Sequence, residues 1–248
     1  MTDTVKSAKR TLGVFELFEE RRSPASTAEV AAALEIPVSS ASVLLRTMTT
    51  EGYLYYDSSR RTYVPTPRVA LLGGWLSQPL FKQRRLINLM DHLAQETGET
   101  IMLGVRNGLT AQYSHVIQAT LPARLYVKSG TLRPLTRSAL GFAILSRFSN
   151  AEVRRIVSRV ERLQPDGISK TPIKELLPIL ETTRKRGYSD SINLVTPGAG
   201  AIAVNLPTLS GELQPLTICV AGLSESLVKN ADNVARMTIK AVSFFMSE

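Results

Sequence analysis

Four side chains within eight residues, Ser39, Ser40, Ser42 and Arg46, combine short hydroxyls with one forked cation. Hydroxyls of this kind bond phosphate oxygens or base edges, and an arginine can fork onto guanine or clasp a phosphate. Thr47 adds another hydroxyl, and Ser26 and Thr27 belong to the same set a little upstream. Arg60 and Arg61 follow at the tip of a predicted hairpin, suited to a minor groove or a phosphate backbone. Lys6, Lys9 and Arg10 supply further cations near the N-terminus. The chemistry these types share is the grip on a polyanionic duplex.

A second cluster has a different character. Arg137-Ser138-Ala139-Leu140-Gly141 opens a predicted helix just after Pro134. A helix N-terminus offers free N–H groups and a partial positive charge, which suits a carboxylate, and Ala139 and Gly141 are small enough for close approach. Arg124, Arg133 or Arg137 can pair with its charge. Catalytic patterns are weaker. His92, His115 and Cys219 have no spacing that makes a nucleophile and base, and no metal-ligand or phosphate-loop spacing occurs. No enzyme activity, metal or cofactor is expected.

The elements that must hold these groups are legible from periodicity. A first helix is expected from Val5 to Glu20, with Leu12, Phe15, Leu17 and Phe18 on its apolar face. Ser26 and Glu29 fit a capping box that opens a second helix. Pro37 separates it from a third, Ser39 to Thr50, with Val43, Leu44 and Met48 expected inward. Gly52 ends the third helix. Tyr53–Tyr56 and Arg61–Val64 then flank the polar turn Asp57–Arg60 as a hairpin. Helix, helix, short turn, helix and hairpin make a winged helix-turn-helix, assigned to residues 1–67.

Residues 68–82 read as a linker helix with a possible hinge at Gly73-Gly74. Residues 83–248 mix amphipathic helices at 86–97, 151–160, 173–186 and 225–245 with strands at 100–105, 111–117, 123–127, 201–206 and 213–220. Without a βαβ rhythm, the expected class is α+β with a largely antiparallel sheet.

Bulk properties agree with this division. The chain has 248 residues and a net charge of +9. The excess does not locate an interface, since residues 1–88 carry 12 Lys/Arg and 8 Asp/Glu while residues 89–248 carry 18 and 13. One cysteine excludes an internal disulfide. No apolar run approaches the roughly 20 residues of a membrane span. The expected location is the cytoplasm, with no membrane partner.

The stretch LEIPVSSASVLLRTMTTEGYLYYD resembles the recognition segment of the IclR family of transcriptional regulators. RLYVKSGTLRPLTRSALGFAILSRF resembles that family's effector-domain strand and helix, and RKRGYSDS, PGAGAIAV and ICVAG resemble its later segments in order. The resemblance implies a GAF-like effector domain, a homodimer or dimer of dimers, and control of small-molecule catabolism. It implies a cavity wall of Leu125, Arg133, Ala139, Leu140, Ser191, Ala201, Cys219 and Ala221, with Arg137 and Ser138 at the adjoining helix start. Phe142 stands where the family often has Lys, and Ala201 where it often has Cys. With Ala201 and Ala221 small and Leu125, Tyr126 and Phe142 nearby, the expected effector is an aromatic or other bulky organic acid. The DNA partner is a double-stranded operator, met by Lys6, Arg10, Ser26, Thr27, Ser39, Ser40, Ser42, Arg46, Arg60 and Arg61. Two alternatives remain open: a winged-helix protein-interaction module, or DNA binding without a small-molecule ligand.

Overall fold

Local sequence signals account for most of the first unit of the chain. The computed structural model describes residues 5–72, 85–121, 124–163, 171–208 and 214–246. It divides into two compact units, Met1–Ser77 and Gln78–Glu248. In the first, helix α1 (Lys6–Arg21) buries Val14 and Phe18 and stops at Arg22 in a left-handed conformation. Leu12, expected inward, is exposed. A two-residue strand β1 (Ala25–Ser26) leads into α2 (Thr27–Ala33) and α3 (Val38–Thr50). Strands β2 (Leu54–Asp57) and β3 (Thr62–Pro65) form the expected hairpin, and β1 adds to it in the order β1-β3-β2. The unit's core joins Val14, Phe18, Val30, Leu45, Met48, Leu54 and Tyr63.

One expectation for α3 is overturned. Its inward face is Ala41, Leu45 and Met48, all buried, whereas Val43 is 55% exposed. The helix begins at Val38 rather than Ser39. Leu44 still packs at the edge of the core, so the inward stripe is turned by one residue from the one expected. Periodicity alone does not separate two such stripes where apolar residues are consecutive, as in Val43-Leu44-Leu45.

After α4 (Pro67–Leu71) the linker passes out of the described residues, and the proposed hinge at Gly73-Gly74 lies there. The second unit runs α5 (Arg85–Thr97), β4 (Thr100–Asn107), β5 (Thr110–Ile117), β6 (Leu132–Pro134), α6 (Ala139–Ser146), α7 (Asn150–Leu163), α8 (Ile173–Arg186), β7 (Ser189–Ile192), β8 (Ala199–Asn205), β9 (Thr217–Leu223) and α9 (Ser224–Met246). Its six strands are antiparallel in the order β6-β5-β4-β9-β8-β7. The fold class is therefore α+β, as expected.

Strict alternation divides this sheet between two cores. Ile101, Leu103, Ile202, Val204, Ile218 and Val220 pack with α5 and α9. Met102, Ala203, Cys219 and Ala221 pack with α6, α7 and α8. Strands β6 and β7 are short and were not anticipated. Arg124–Val127, expected as part of a strand, joins no sheet. Side chains tether it instead: Thr100 Oγ1 donates to the Leu125 carbonyl at 3.1 Å and the Gln118 amide to the Val127 carbonyl at 2.5 Å.

Candidate functional site

Two surfaces carry the candidate chemistry, one in each unit. In the first, α2 and α3 meet at 111°, within the range of a DNA-binding helix-turn-helix. The turn between them is built from backbone bonds. Leu34 N–H donates to the Val30 carbonyl and Ile36 N–H to the Ala31 carbonyl. Glu35 takes a left-handed conformation, φ 52°, and Pro37 occupies the N-cap of α3. Among the described residues no single helix is long and apolar enough to cross a membrane.

The face of α3 turned away from the core presents Ser39, Val43, Arg46, Thr47 and Thr50, all exposed. Ser40 and Ser42 are half-buried at its margins. Thr47 Oγ1 donates to the Val43 carbonyl at 3.0 Å, so its proton is spent on the helix and only acceptor capacity remains. At the wing, Arg60 and Arg61 are exposed, and Arg61 has φ 54°. Asp57 shapes this turn by accepting from the Ser59 hydroxyl and from the Ser59 and Arg60 amides. These bonds, led by the Ser59 hydroxyl, hold its carboxyl below the usual range. Lys6 is exposed on the first turn of α1 and Arg10 half-buried on the next.

Ser26 and Thr27 are placed differently from the rest of the DNA set. They are half-buried, as Arg10, Ser40 and Ser42 are, but stand at the start of α2 rather than on α1, α3 or the wing. The Ser26 hydroxyl donates to Glu29 Oε2 at 2.7 Å and accepts from the Glu29 amide, while the Ser26 amide donates to the same carboxylate. This is the capping box read from the sequence. The Ser26 amide and hydroxyl, with Arg21, pull the Glu29 carboxyl down from 4.5 to about 2. The depressed value sets the sign of a pH effect: the cap's contribution is full above pH 4.5 and is lost as pH falls through about 2. The melting-temperature gap between wild type and Glu29→Gln, present at pH 7, is therefore expected to close between about pH 5 and pH 2, as circular dichroism would record.

In the second unit a cavity of about 100 Å³ opens beside the start of α6. Seven of the expected residues line it: Leu125, Arg133, Ser138, Ala139, Ser191, Ala201 and Ala221. They come from the 124–127 segment, β6, the α6 N-terminus, β7, β8 and β9. Three expected residues do not. Leu140 is fully buried, its side chain filling the space a Cβ on Gly104 would need. Cys219 is fully buried in the sheet, and burial pushes its thiol upward, so it is neutral packing. Arg137 instead braces the wall, its Nε donating to the Leu194 carbonyl at 3.0 Å. Leu194, Val195 and Thr196, which that bond steadies, line the cavity and were not anticipated. Nor were Met102, Tyr113 and Gly200, which come from strands remote in sequence.

The polar groups of the cavity are few and converge. The Arg133 guanidinium lies over the Tyr113 ring at 5.4 Å. Burial, more than any neighbour, drives the Tyr113 phenol upward, keeping it a neutral donor. The Ser191 hydroxyl accepts from the Ala139 amide at 3.2 Å, and the Ser189 hydroxyl donates to the Ala139 carbonyl at 2.7 Å. Ser138 is committed as the α6 cap, its only proton donated to the Pro134 carbonyl and one lone pair accepting from Gly141. Gly141 does not make room for a ligand, as the sequence suggested. A Cβ there would stand 2.2 Å from the Leu135 carbonyl oxygen. Elsewhere, His92 packs on the Phe245 ring and His115 lies in β5. Among the described residues no group of three His, Cys, Asp or Glu side chains is arranged to hold a metal.

Comparison with known proteins bears on both surfaces. The family model described as the IclR helix-turn-helix domain matches residues 7–58, and that described as the bacterial transcriptional regulator IclR C-terminal matches residues 81–243. The chain is 28% identical over 224 residues to the HTH-type transcriptional regulator KdgR of Escherichia coli, covering 90% of this chain and 82% of that one. It is 24% identical over 208 residues to the glycerol operon regulatory protein of Streptomyces coelicolor, covering 82% and 79%. The crystal structure of Thermotoga maritima IclR shares the fold with a TM-score of 0.64 at 18% identity, over 98% of this chain and 99% of that one. The effector domain of a putative regulator IclR from Acinetobacter sp. ADP1 matches 69% of this chain and 99% of its own, with a TM-score of 0.59 at 25% identity.

Proposed function

This chain belongs to the IclR family of bacterial transcriptional regulators, and on that premise we propose that it holds an operator with α3 and its wing and that a small organic acid in the α6 cavity sets its grip. DNA-binding regulation with an effector domain is the family's common activity. The operator contacts proposed for this chain are Ser39, Arg46, Arg60 and Arg61, with Lys6 and Arg10 against phosphates. Ser40 and Ser42 serve at the margins, Ser26 caps α2, and Thr27 adds a half-buried hydroxyl at its first turn. Such a partner places the working protein in the cytoplasm.

The observation that carries the ligand reading is the convergence of Arg133, Tyr113 and Ser191 on one half-open cleft beside a helix N-terminus. A carboxylate there takes a charge-assisted bond from Arg133. The Ser191 hydroxyl, which accepts from Ala139, has its own proton to give, so the two bonds reinforce each other. The volume narrows the class. About 100 Å³ is less than the roughly 150 Å³ that accommodates benzene in an apolar cavity. A compact aliphatic keto or hydroxy acid fits within that space, whereas the aromatic or other bulky organic acid expected from the sequence would project from its open side, so the compact acid is favoured.

Effector binding then biases the pairing of two winged helices in a dimer or dimer of dimers. Half-site spacing is set by geometry, so a coupling of about 1–3 kcal/mol is enough to change occupancy. Calorimetry with pyruvate, succinate, benzoate and glycerol tests the ligand. A small carboxylate is expected to bind, and Arg133→Gln to weaken it about tenfold or more. Binding of glycerol or benzoate alone, unaffected by Arg133→Gln, would overturn the reading. A gel shift on the chain's own upstream DNA, with and without the acid, tests the coupling.

A further inference from the structure

We infer that Val43 reads sequence, by seating its isopropyl group against the 5-methyl of a thymine in the major groove. The inference rests on the reading of α3 as the DNA-entering helix and goes beyond it by naming a base and the group recognised. Val43 belongs to no core cluster of its unit and is 55% exposed. Its neighbours on the surface are one helical turn away on either side: Ser39 before it, and Arg46 and Thr47 after it. An apolar side chain thus stands in the middle of a face otherwise made of hydroxyls and a guanidinium. Val38, the other exposed valine of α3, lies about 140° round the helix axis and does not extend it into a patch. That isolation argues against a protein-docking surface, which needs contiguous apolar area.

The chemistry of the groove supplies the partner. Among the major-groove edges of the four base pairs, only thymine offers an apolar group, its methyl, and every other feature is a hydrogen-bond donor or acceptor. Val43 has no polar atom to satisfy those, so placed over any other base it desolvates a donor or acceptor without replacing its bond. Thr47 cannot relieve that loss by donating, because its hydroxyl proton goes to the Val43 carbonyl. The preference at this position is therefore for the methyl, while Arg46 reads or clasps its own partner beside it.

The test uses the full-length protein and selection from random duplex DNA, followed by anisotropy titrations on the enriched site. In that site each thymine is replaced in turn by deoxyuridine, which lacks only the methyl. At one position per half-site the replacement is expected to weaken wild type about fourfold, the worth of one buried methyl. At that position, 5-methylcytosine is expected to bind more tightly than cytosine. Val43→Ala is expected to lose the deoxyuridine effect and the thymine preference there, keeping every other enriched base. Tight binding by wild type that is indifferent to deoxyuridine at all positions overturns the inference and leaves DNA binding intact. A Val43→Ala variant that still enriches and discriminates the same thymine overturns it equally. If wild type enriches no duplex, the DNA-binding reading itself fails, and the two failures are told apart.

Discussion

Arg46→Ala is expected to weaken binding to the enriched operator by about five- to 150-fold, the range for one bidentate arginine–guanine contact. Arg46 is exposed one turn beyond Val43 on the outward face of α3, where a fork of five donors meets base edges. The signature is a loss of discrimination at one base pair, with the slope of affinity against salt little changed. Arg61→Ala is expected to behave oppositely. It sits on the wing, exposed, in a left-handed turn that Asp57 stabilises next door. Its loss should weaken all sequences alike and reduce the salt slope by about 0.9 per phosphate contact. Anisotropy titrations from about 50 to 200 mM salt separate the two. If Arg46→Ala lowers the slope and leaves base preference intact, Arg46 is a phosphate clamp, and reading falls to Ser39 and Val43.

Gly141→Ala is expected to destabilise the effector unit by about 3 kcal/mol or more, the upper range for forcing extra volume into packed structure. A Cβ at this position would lie 2.2 Å from the Leu135 carbonyl oxygen and 2.6 Å from its carbonyl carbon and Cα. These are backbone atoms, so no rotamer change relieves the collision. Leu135 itself is fully buried. For a domain of this size the melting temperature should fall by about 6–12 °C. The start of α6 must move with it, and that shift displaces Ala139 from Ser191 and costs effector binding. Gly108→Ala provides the contrast. It also fixes a glycine, at φ 59°, but nothing lies within 4 Å of its added Cβ. Its cost should be about 1 kcal/mol from backbone conformation alone. Equal losses in the two variants, measured by thermal unfolding, would show that steric contact with Leu135 is not what Gly141 relieves.

Much of the winged unit was legible because its signals are local. Ser26 and Glu29 are three residues apart and form their capping box without help from elsewhere. Pro37 and Gly52 mark the ends of α3 by their own backbone preferences. The facing of α3 was less legible, since Ala41 and Leu45 compete with Val43 and Leu44 for the inward stripe, and α1 and the β1-β3-β2 sheet decide it. In the effector unit, β6 and β7 escaped detection because three- and four-residue strands carry too little period to stand out. The 124–127 segment looked like a strand from its composition, yet it enters no strand pairing, and the side chains of Thr100 and Gln118 hold its carbonyls instead.

From its residues alone this chain determined the order of its winged-unit helices and hairpin, the capping and turning of those helices, its α+β class and its resemblance to a regulator family, because each depends on neighbours a few positions away. Tertiary packing alone decided the rest. It turned Val43 outward, put Leu140 and Cys219 into the core, made Arg137 a brace and set the cavity near 100 Å³. Those outcomes depend on which distant strand or helix occupies a given space first. A side chain's exposure and the volume left over are properties of that competition, which no stretch of sequence contains.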